Sequence, residues 1–296
     1  MLLSEIVNLV ENLEILRDGE FTSLGLAVAV CEEKLLSFIE NEKYISGLSN
    51  KITSLITTKE IGEKLKDTYG IIISKNPRMD YFKLHNKLSN IGGYKREDFD
   101  TIIGEGCEIS NLASISKKNV RIGNNVKIEE FVVIRENTVI GDNSIIRAGV
   151  VLGGEGYEYK RTDGIIINVN HCGGVIIEDN VEIQYNGCID KALYPWDNTI
   201  IGSYSKLDNL VHIEHGVKVG NRCLIASRTT FGGRTIIGDD SWVGLGAVIS
   251  NGLILGNEVS VSLGSVVTKN LKDGEKVSGN FAINHDKYIN FIKGIR

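Results

Sequence analysis

Aliphatic residues recur at every sixth position over the C-terminal two-thirds of this chain. Ile122, Ile128, Ile134, Ile140, Ile146 and Leu152 form a first run. A second run starts at Ile177 and holds phase through Ile183, Ile189, Pro195, Ile201, Leu207 and Ile213 as far as Val267. It covers 16 successive positions, of which 14 are Ile, Leu or Val. Neither a helix, with period 3.6, nor an ordinary strand, with period 2, produces this spacing. A hexapeptide repeat predicts a parallel β-helix, in which three six-residue faces close one coil and the aliphatic residue points inward. Neighbouring coils then rise by about 4.8 Å, the ordinary inter-strand distance. The second run accounts for five coils; 122–152 and a weaker stretch at 103–115 add about three, which gives about eight. Gly often follows the aliphatic residue, as at Gly123, Gly141, Gly202, Gly220, Gly238, Gly244 and Gly256. The expectation is that these glycines supply the unusual torsions of the corners.

The first hundred residues lack this period. LLSEIVNLVENLEIL has helical spacing, and the short apolar runs SLITT and GIIIS read as strands. The segment 1–98 is therefore expected to be a small α/β domain, ending near the polar, Gly-containing NIGGYKREDFD. The repeat domain is expected over 99–270, with a loop excursion at 153–176 where the period breaks. Loops that interrupt a scaffold often carry function. The tail 271–296 leaves the repeat, and Tyr288, Phe291 and Ile292 suggest a short helix that shields the open end of the coil stack.

Composition narrows the classes. With 33 Lys+Arg against 38 Asp+Glu, net charge is −5, the wrong sign for a general nucleic-acid binder. No run approaches the 18–20 apolar residues of a membrane span, and the acidic N-terminus does not resemble a secretion signal. Cys31, Cys107, Cys172, Cys188 and Cys223 are scattered without a CxxC pair. An odd, dispersed set reads as reduced thiols in a cytoplasmic protein.

The candidate chemistry lies in DNLVHIEHGVKVG. Ile213 points inward, so His212 and His215 flank it near a corner. Imidazole, with an ordinary pKa around 6.5, suits general-base work near neutral pH. One 18-residue coil beyond His215 lies Gly233, so the two should neighbour each other on adjacent coils. A glycine amide there would serve as an oxyanion donor, a contribution of roughly 100–1000-fold in rate. Asp208 is the expected carboxylate holding the imidazole, with Glu214 a weaker rival. A zinc centre of three His ligands and a water would have to use His171, His212 and His215; the expectation is that no metal is bound. A scaffold without catalysis is the third class.

Taken together these segments resemble the UDP-3-O-acylglucosamine N-acyltransferase family of the lipid A pathway, within the hexapeptide-repeat acyltransferases. The likeness runs over about 17–285. LLSFIENEKYISGL is similar to that family's uridine-binding segment, with Phe38, Asn41 and Tyr44 in an F-x-x-N-x-x-Y pattern. KNPRMDYFKL is similar to its Asn-Pro segment. GGEGYEY resembles its Gly-rich loop, which implies that Gly154, Glu155, Gly156 and Tyr157 border the sugar and acyl sites. Ile189, Asp190 and Lys191 resemble its Ile-Asp-basic triplet, which implies a substrate-binding Asp190, with His212 nearby. LDNLVHIEHGVKVGN resembles the catalytic segment, with His215 as base, Asp208 as its orienting acid and Gly233 as oxyanion donor. Where the family carries a second histidine, this chain has SNGL (250–253), so Asn251 stands in that stretch. The C-terminal extension is shorter, and Phe281 in SGNFA replaces the Pro of smaller sugar acetyltransferases.

The resemblance implies a mainly β fold, a left-handed parallel β-helix assembled as a homotrimer, and a cytoplasmic enzyme. The implied reaction moves an acyl group from a thioester, acyl carrier protein or coenzyme A, to the amine of a UDP-linked amino sugar, with no permanently bound cofactor. The alternative is a short-chain, acetyl-CoA-dependent nucleotide-sugar acetyltransferase, favoured by the missing histidine and the short tail.

Overall fold

The structure, a computed structural model, describes residues 1–295 apart from 66, 163, 280 and 281. Phe281 therefore lies outside the described residues. Most of the chain is a left-handed parallel β-helix whose three sheets hold 9, 8 and 8 short strands. The first face runs from Ile102–Ile103 to Ile254–Leu255, the second from Glu108–Ile109 to Lys276–Val277, and the third from Ser114–Ile115 to Val266–Val267. The inward aliphatic of each face stacks on its equivalent in the next coil and is joined in many hexads by a small residue two positions earlier, as Val126 beside Ile128; together they form a single core from Val120 to Leu271.

Corners supply the backbone geometry. Left-handed torsions fall mainly on Asn and Arg, such as Asn143 (φ 57°) and Arg234 (φ 61°), and on separate glycines such as Gly216 (φ 71°). The recurring glycines of the repeat have a different cause. A Cβ on Gly202 would sit 2.5 Å from the carbonyl carbon of Gly220 one coil away. They are needed for close approach between coils, not for torsion. A ladder of side chains beside them knits the same corner: Ser203 N–H donates to Asn221 Oδ1 at 2.9 Å, and Asn221 N–H to Asp239 Oδ1 at 2.8 Å.

Two loops leave the corner between the third and first faces. The first, between Val151–Gly154 and Gly174–Ile177, carries an antiparallel hairpin, Tyr159–Thr162 with Ile165–Asn168. The second lies between Cys188–Asp190 and Asn198–Ile201. Pairing of Ile177 with Ile201 spans 24 residues, whereas Ile201 pairs with Val219 after 18. Pro195 is thus not an inward face residue. The second loop is one hexad long, so the insertion leaves the sequence phase undisturbed.

The N-terminal unit is a five-stranded sheet. Its strands are β1 (Glu14–Arg17), β2 (Ser23–Leu24), β3 (Leu35–Phe38), β4 (Ile52–Thr57) and β5 (Gly70–Ile73), in the order β1-β5-β4-β3-β2. Helices α1 (Leu3–Ile6), α2 (Lys59–Gly62) and α3 (Pro77–Leu88) accompany it. The helical spacing at the start therefore yields only α1 and a short 3₁₀ turn; Glu14, Ile15 and Leu16 go into β1 instead. Asn76 accepts from Met79 N–H at 3.3 Å and Pro77 opens α3, a strong start signal. The C-terminal helix α4 (His285–Ile295) exists but buries no residue; the last coil is closed instead by the segment around Leu271, which bridges to Leu255.

The N-terminal unit rests on both corner loops. Tyr81 Oη donates to Tyr194 Oη at 3.0 Å, Trp196 Nε1–H to Leu24 O at 2.9 Å, and Arg96 Nε–H to Pro195 O at 2.8 Å. His85 is fully buried between Tyr94 Oη and Asn170 O, each 2.7 Å from a ring nitrogen. Burial lowers the His85 pKa from 6.5 to about 4. A histidine depressed in the fold takes up a proton on unfolding, so its contribution is full above about pH 6.5 and is lost as pH falls through 4. The shift corresponds to about 3 kcal/mol. Melting temperature should accordingly decline between pH 6.5 and 4.5, and His85→Gln should flatten that decline; an unchanged slope in the variant would remove His85 as its cause.

Candidate active site

His215 lies in the corner between the third and first faces, directly after the two loops in the stack. Its neighbour Ile213 takes the inward position, so the imidazole lies outside the prism. The loops cover it, leaving its side chain 5% exposed. Two glycines make room for the ring. A Cβ on Gly233 would meet His215 Nε2 at 2.5 Å, and one on Gly156 would meet His215 Nδ1 at 2.9 Å and His171 Nε2 at 2.8 Å. His171, from the first loop, packs edge-to-face on His215 with ring centroids 5.4 Å apart. One nitrogen of each ring faces a loop carboxylate at 3.3–3.4 Å, and the other, His215 Nδ1 and His171 Nε2, has no hydrogen-bond partner among the described residues. Buried polar groups are ordinarily paired, so two imidazole nitrogens left open at one spot mark a place prepared for a ligand.

Two loop carboxylates flank the pair. Glu158 Oε2 lies 3.3 Å from His215 Nε2 and 3.3 Å from Arg234 Nη1, and Lys160 Nζ bonds Oε1. Burial by itself would push the Glu158 pKa up; the contacts with His215, Lys160 and Arg234 outweigh it and hold the carboxylate well below its ordinary range. Glu155 Oε2 lies 3.4 Å from His171 Nδ1 and Oε1 lies 2.7 Å from Lys191 Nζ. Here too burial opposes and the His171 and Lys191 contacts prevail, bringing the pKa to about 2.

Three clefts meet at this centre. One, of about 430 Å³, is lined by Phe38 and Tyr44 together with the cations Arg78, Lys160 and Arg234. A second, of about 470 Å³, shares Arg78, Glu158, Lys160 and Arg234 with the first and contains Tyr157, His215, Gly233 and Asn251. A third, of about 350 Å³, is mainly apolar, with Leu26, Val28, Trp196, Ile236 and Ile254, and it includes His215 and Arg234. A larger cavity of about 670 Å³, beside Lys75, Lys83 and Lys87, shares no residue with these three.

The structure places several sequence-predicted residues together and separates others. His215 and Gly233 are neighbours on adjacent coils, with Gly156 against both histidines. Gly154 lies by the Asp190 carboxylate, where a Cβ would be 3.1 Å from Oδ1. Asp208 is not at His215. It follows the second face, one corner earlier, and its carboxylate accepts from Asn209 N–H at 2.7 Å and Ser227 N–H at 3.1 Å. Glu158 occupies the position the sequence reading gave to Asp208. The Gly233 N–H is not open either: it donates to Glu214 Oε2 at 2.8 Å. Asn41 caps the 3₁₀ turn Glu42–Gly47 by accepting from Lys43 N–H at 3.0 Å and is not among the cleft-lining residues. His212 turns outward to Asp190, with Nε2 3.2 Å from Oδ2. His171, His212 and His215 therefore form no common ligand cluster among the described residues. Glu158, Lys160 and Arg234 were not singled out in the sequence; the charged residues of GGEGYEYK next to its glycines were the available signal.

Comparison with known proteins agrees with the fold. The bacterial transferase hexapeptide (six repeats) family matches residues 119–154 and 198–233. A UDP-3-O-acylglucosamine N-acyltransferase of Caulobacter sp. (strain K31) is 31% identical over 134 residues, 45% of this chain and 39% of the relative. UDP-3-O-acylglucosamine N-acyltransferase 2 of Legionella pneumophila (strain Lens) is 34% identical over 151 residues, 50% of this chain and 43% of the relative. The chain thus spans about two-fifths of the length of the curated relatives it matches. Among solved structures, a UDP-N-acetylglucosamine acyltransferase from Campylobacter jejuni superposes with TM-score 0.54 at 21% identity, covering 66% of this chain and 79% of that one. An Arabidopsis UDP-N-acetylglucosamine acyltransferase gives TM-score 0.52 at 22% identity, covering 61% and 68%. At that identity the likeness is one of fold. No helix among the described residues is long and apolar enough to cross a membrane.

Proposed function

We propose that this hexapeptide-repeat chain, a relative of the UDP-3-O-acylglucosamine N-acyltransferases, transfers an acyl group from a thioester to the amine of a UDP-linked amino sugar. The observation that carries the reading is that three clefts meet at Arg234, two of them lined by His215 and the third reaching its partner Glu158. The aromatic, cation-lined cleft suits a nucleobase and a diphosphate. The apolar cleft suits an acyl chain. The middle cleft brings an amine and a thioester carbonyl to one imidazole.

In this reading the sugar amine attacks the thioester carbonyl, forming the C–N bond. His215 takes the proton that the nitrogen loses. The tetrahedral intermediate then breaks its C–S bond, and the same proton returns to the departing thiolate. Glu158 holds the imidazole and stabilises its protonated form, and His171 closes the other side. The Gly233 N–H receives the oxyanion only when Glu214 has released it. Gly154, Glu155, Gly156 and Tyr157 border the acceptor, with Asn251 at the far wall of the middle cleft. No cysteine is required as a nucleophile.

Phe38 contacts the nucleotide far from the bond that changes. Phe38→Ala should raise KM for the UDP-sugar several-fold and leave kcat nearly intact. An unaltered KM would give the aromatic cleft another occupant. A homotrimer with sites between neighbouring prisms belongs to the same reading, and light scattering should return three chain masses.

The donor class is decided by thiol release. With UDP-amino sugar present, a 3-hydroxyacyl thioester of acyl carrier protein should release thiol faster than acetyl-CoA, because Val28, Ile236 and Ile254 offer an apolar wall longer than an acetyl group needs. Preference for acetyl-CoA would support the short-chain alternative. Absence of sugar-dependent thiol release from either donor would remove the acyltransferase reading.

A further inference from the structure

The geometry points to a site for a thiophilic divalent cation on the outer surface of the third face, held by Cys188 Sγ, a carboxylate oxygen of Asp190 and His212 Nε2. The period-2 alternation of a strand sends Ile189 inward and Cys188 and Asp190 outward on the same face. Parallel pairing of Cys188 with His212 then puts the imidazole beside them on the next coil. The three donor atoms lie within 4.8 Å of one another. Sγ is 3.7 Å from Asp190 Oδ1, and His212 Nε2 is 3.2 Å from Asp190 Oδ2.

Tetrahedral binding needs metal–ligand distances of about 2.0–2.3 Å, so small rotations of the Cys188 and His212 side chains bring all three donors onto one ion. Asp190 is 5% exposed and anchored by its coil, whereas the His212 side chain is 40% exposed. Three protein ligands with one open side match the pattern in which a water or an outside group takes the fourth position. The sulfur and nitrogen donors select zinc, cobalt or nickel over magnesium or calcium, which prefer all-oxygen sites.

Neither His215 nor His171 takes part, so this inference goes beyond the acyl-transfer reading and is tested without an activity assay. Cobalt(II) is titrated into the chelator-treated, reduced full-length protein. A near-ultraviolet thiolate-to-cobalt charge-transfer band should grow to one equivalent per chain, and zinc should abolish it by competition while magnesium should not. Cys188→Ser should lose the band with an unchanged circular-dichroism spectrum, whereas Cys107→Ser should keep it. His212→Ala should weaken cobalt binding more than about 100-fold, beyond the 10–100-fold cost of losing an outer partner alone. No band in the parent protein, or a band that survives in folded Cys188→Ser, overturns the site. If Cys188→Ser fails to fold, His212→Ala decides the matter, because affinity unchanged there also overturns it.

Discussion

His215→Ala should lower acyl transfer by about 100–10,000-fold, the usual contribution of a positioned general base, while the coil stack keeps its melting temperature within a few degrees. The fold is expected to survive because Ile213, not His215, belongs to the inward stack. The ring lies outside the prism, and its polar neighbour is the Glu158 carboxylate, 3.3 Å from Nε2. Its removal leaves a space beneath the loop, and the neighbouring Glu158 keeps Lys160 and Arg234 as cationic partners. The effect should appear in kcat, because the proposed nucleotide site, the cleft with Phe38, Tyr44 and the cations Arg78 and Lys160, does not include His215. Turnover near that of the parent protein, in a folded variant, would take His215 out of the reaction.

Gly233→Ala is expected to come next in size, with a loss on the order of 100-fold. The new Cβ would stand 2.5 Å from His215 Nε2 and 2.6 Å from Cε1, closer than side chains tolerate. The ring must move, and a misplacement of about 1 Å can cost 100-fold in rate. Because Gly233 carries no left-handed torsion, the alanine does not strain its own backbone. The variant acts through the histidine, so its effect should be strongly non-additive. In a His215→Ala background, Gly233→Ala should cost little more. A full 100-fold further loss there would assign Gly233 a role independent of the ring, such as its amide alone.

The parallel β-helix was legible because its core repeats every six residues: one aliphatic in each hexad always points inward, often joined by a small residue two positions earlier such as Val126 or Val211, so the packing rule and the sequence signal share one period. The same period hid Pro195. An insertion of one hexad preserves the phase, and only strand pairing between Ile177 and Ile201 exposes it. His215 and Gly233 could be paired in advance because no insertion separates them, so one coil brings them together. Asp208 misled for the reason that made the coil readable. Seven residues back along a three-sided coil is the preceding corner, whatever the chemistry of the side chain. Glu158 and His171 lie on the loop that leaves the period, and nothing in their spacing relates them to position 215. Their charge and their glycine neighbours were visible, but the fold of the loop over the corner was not. At the start of the chain, helical spacing up to Leu16 lost to sheet formation, because Glu14–Arg17 gains an edge pairing with β5.

The central claim is that the cleft around His215 joins an acyl group to nitrogen on a UDP-sugar. Its most direct test is the mass and lability of the product formed by the full-length protein from a UDP-amino sugar and an acyl thioester. A nucleotide sugar heavier by one acyl group, resistant to hydroxylamine as an amide is, and absent with His215→Ala, is the predicted result. A hydroxylamine-labile ester, or the same amide formed equally well by the His215→Ala protein, would contradict it.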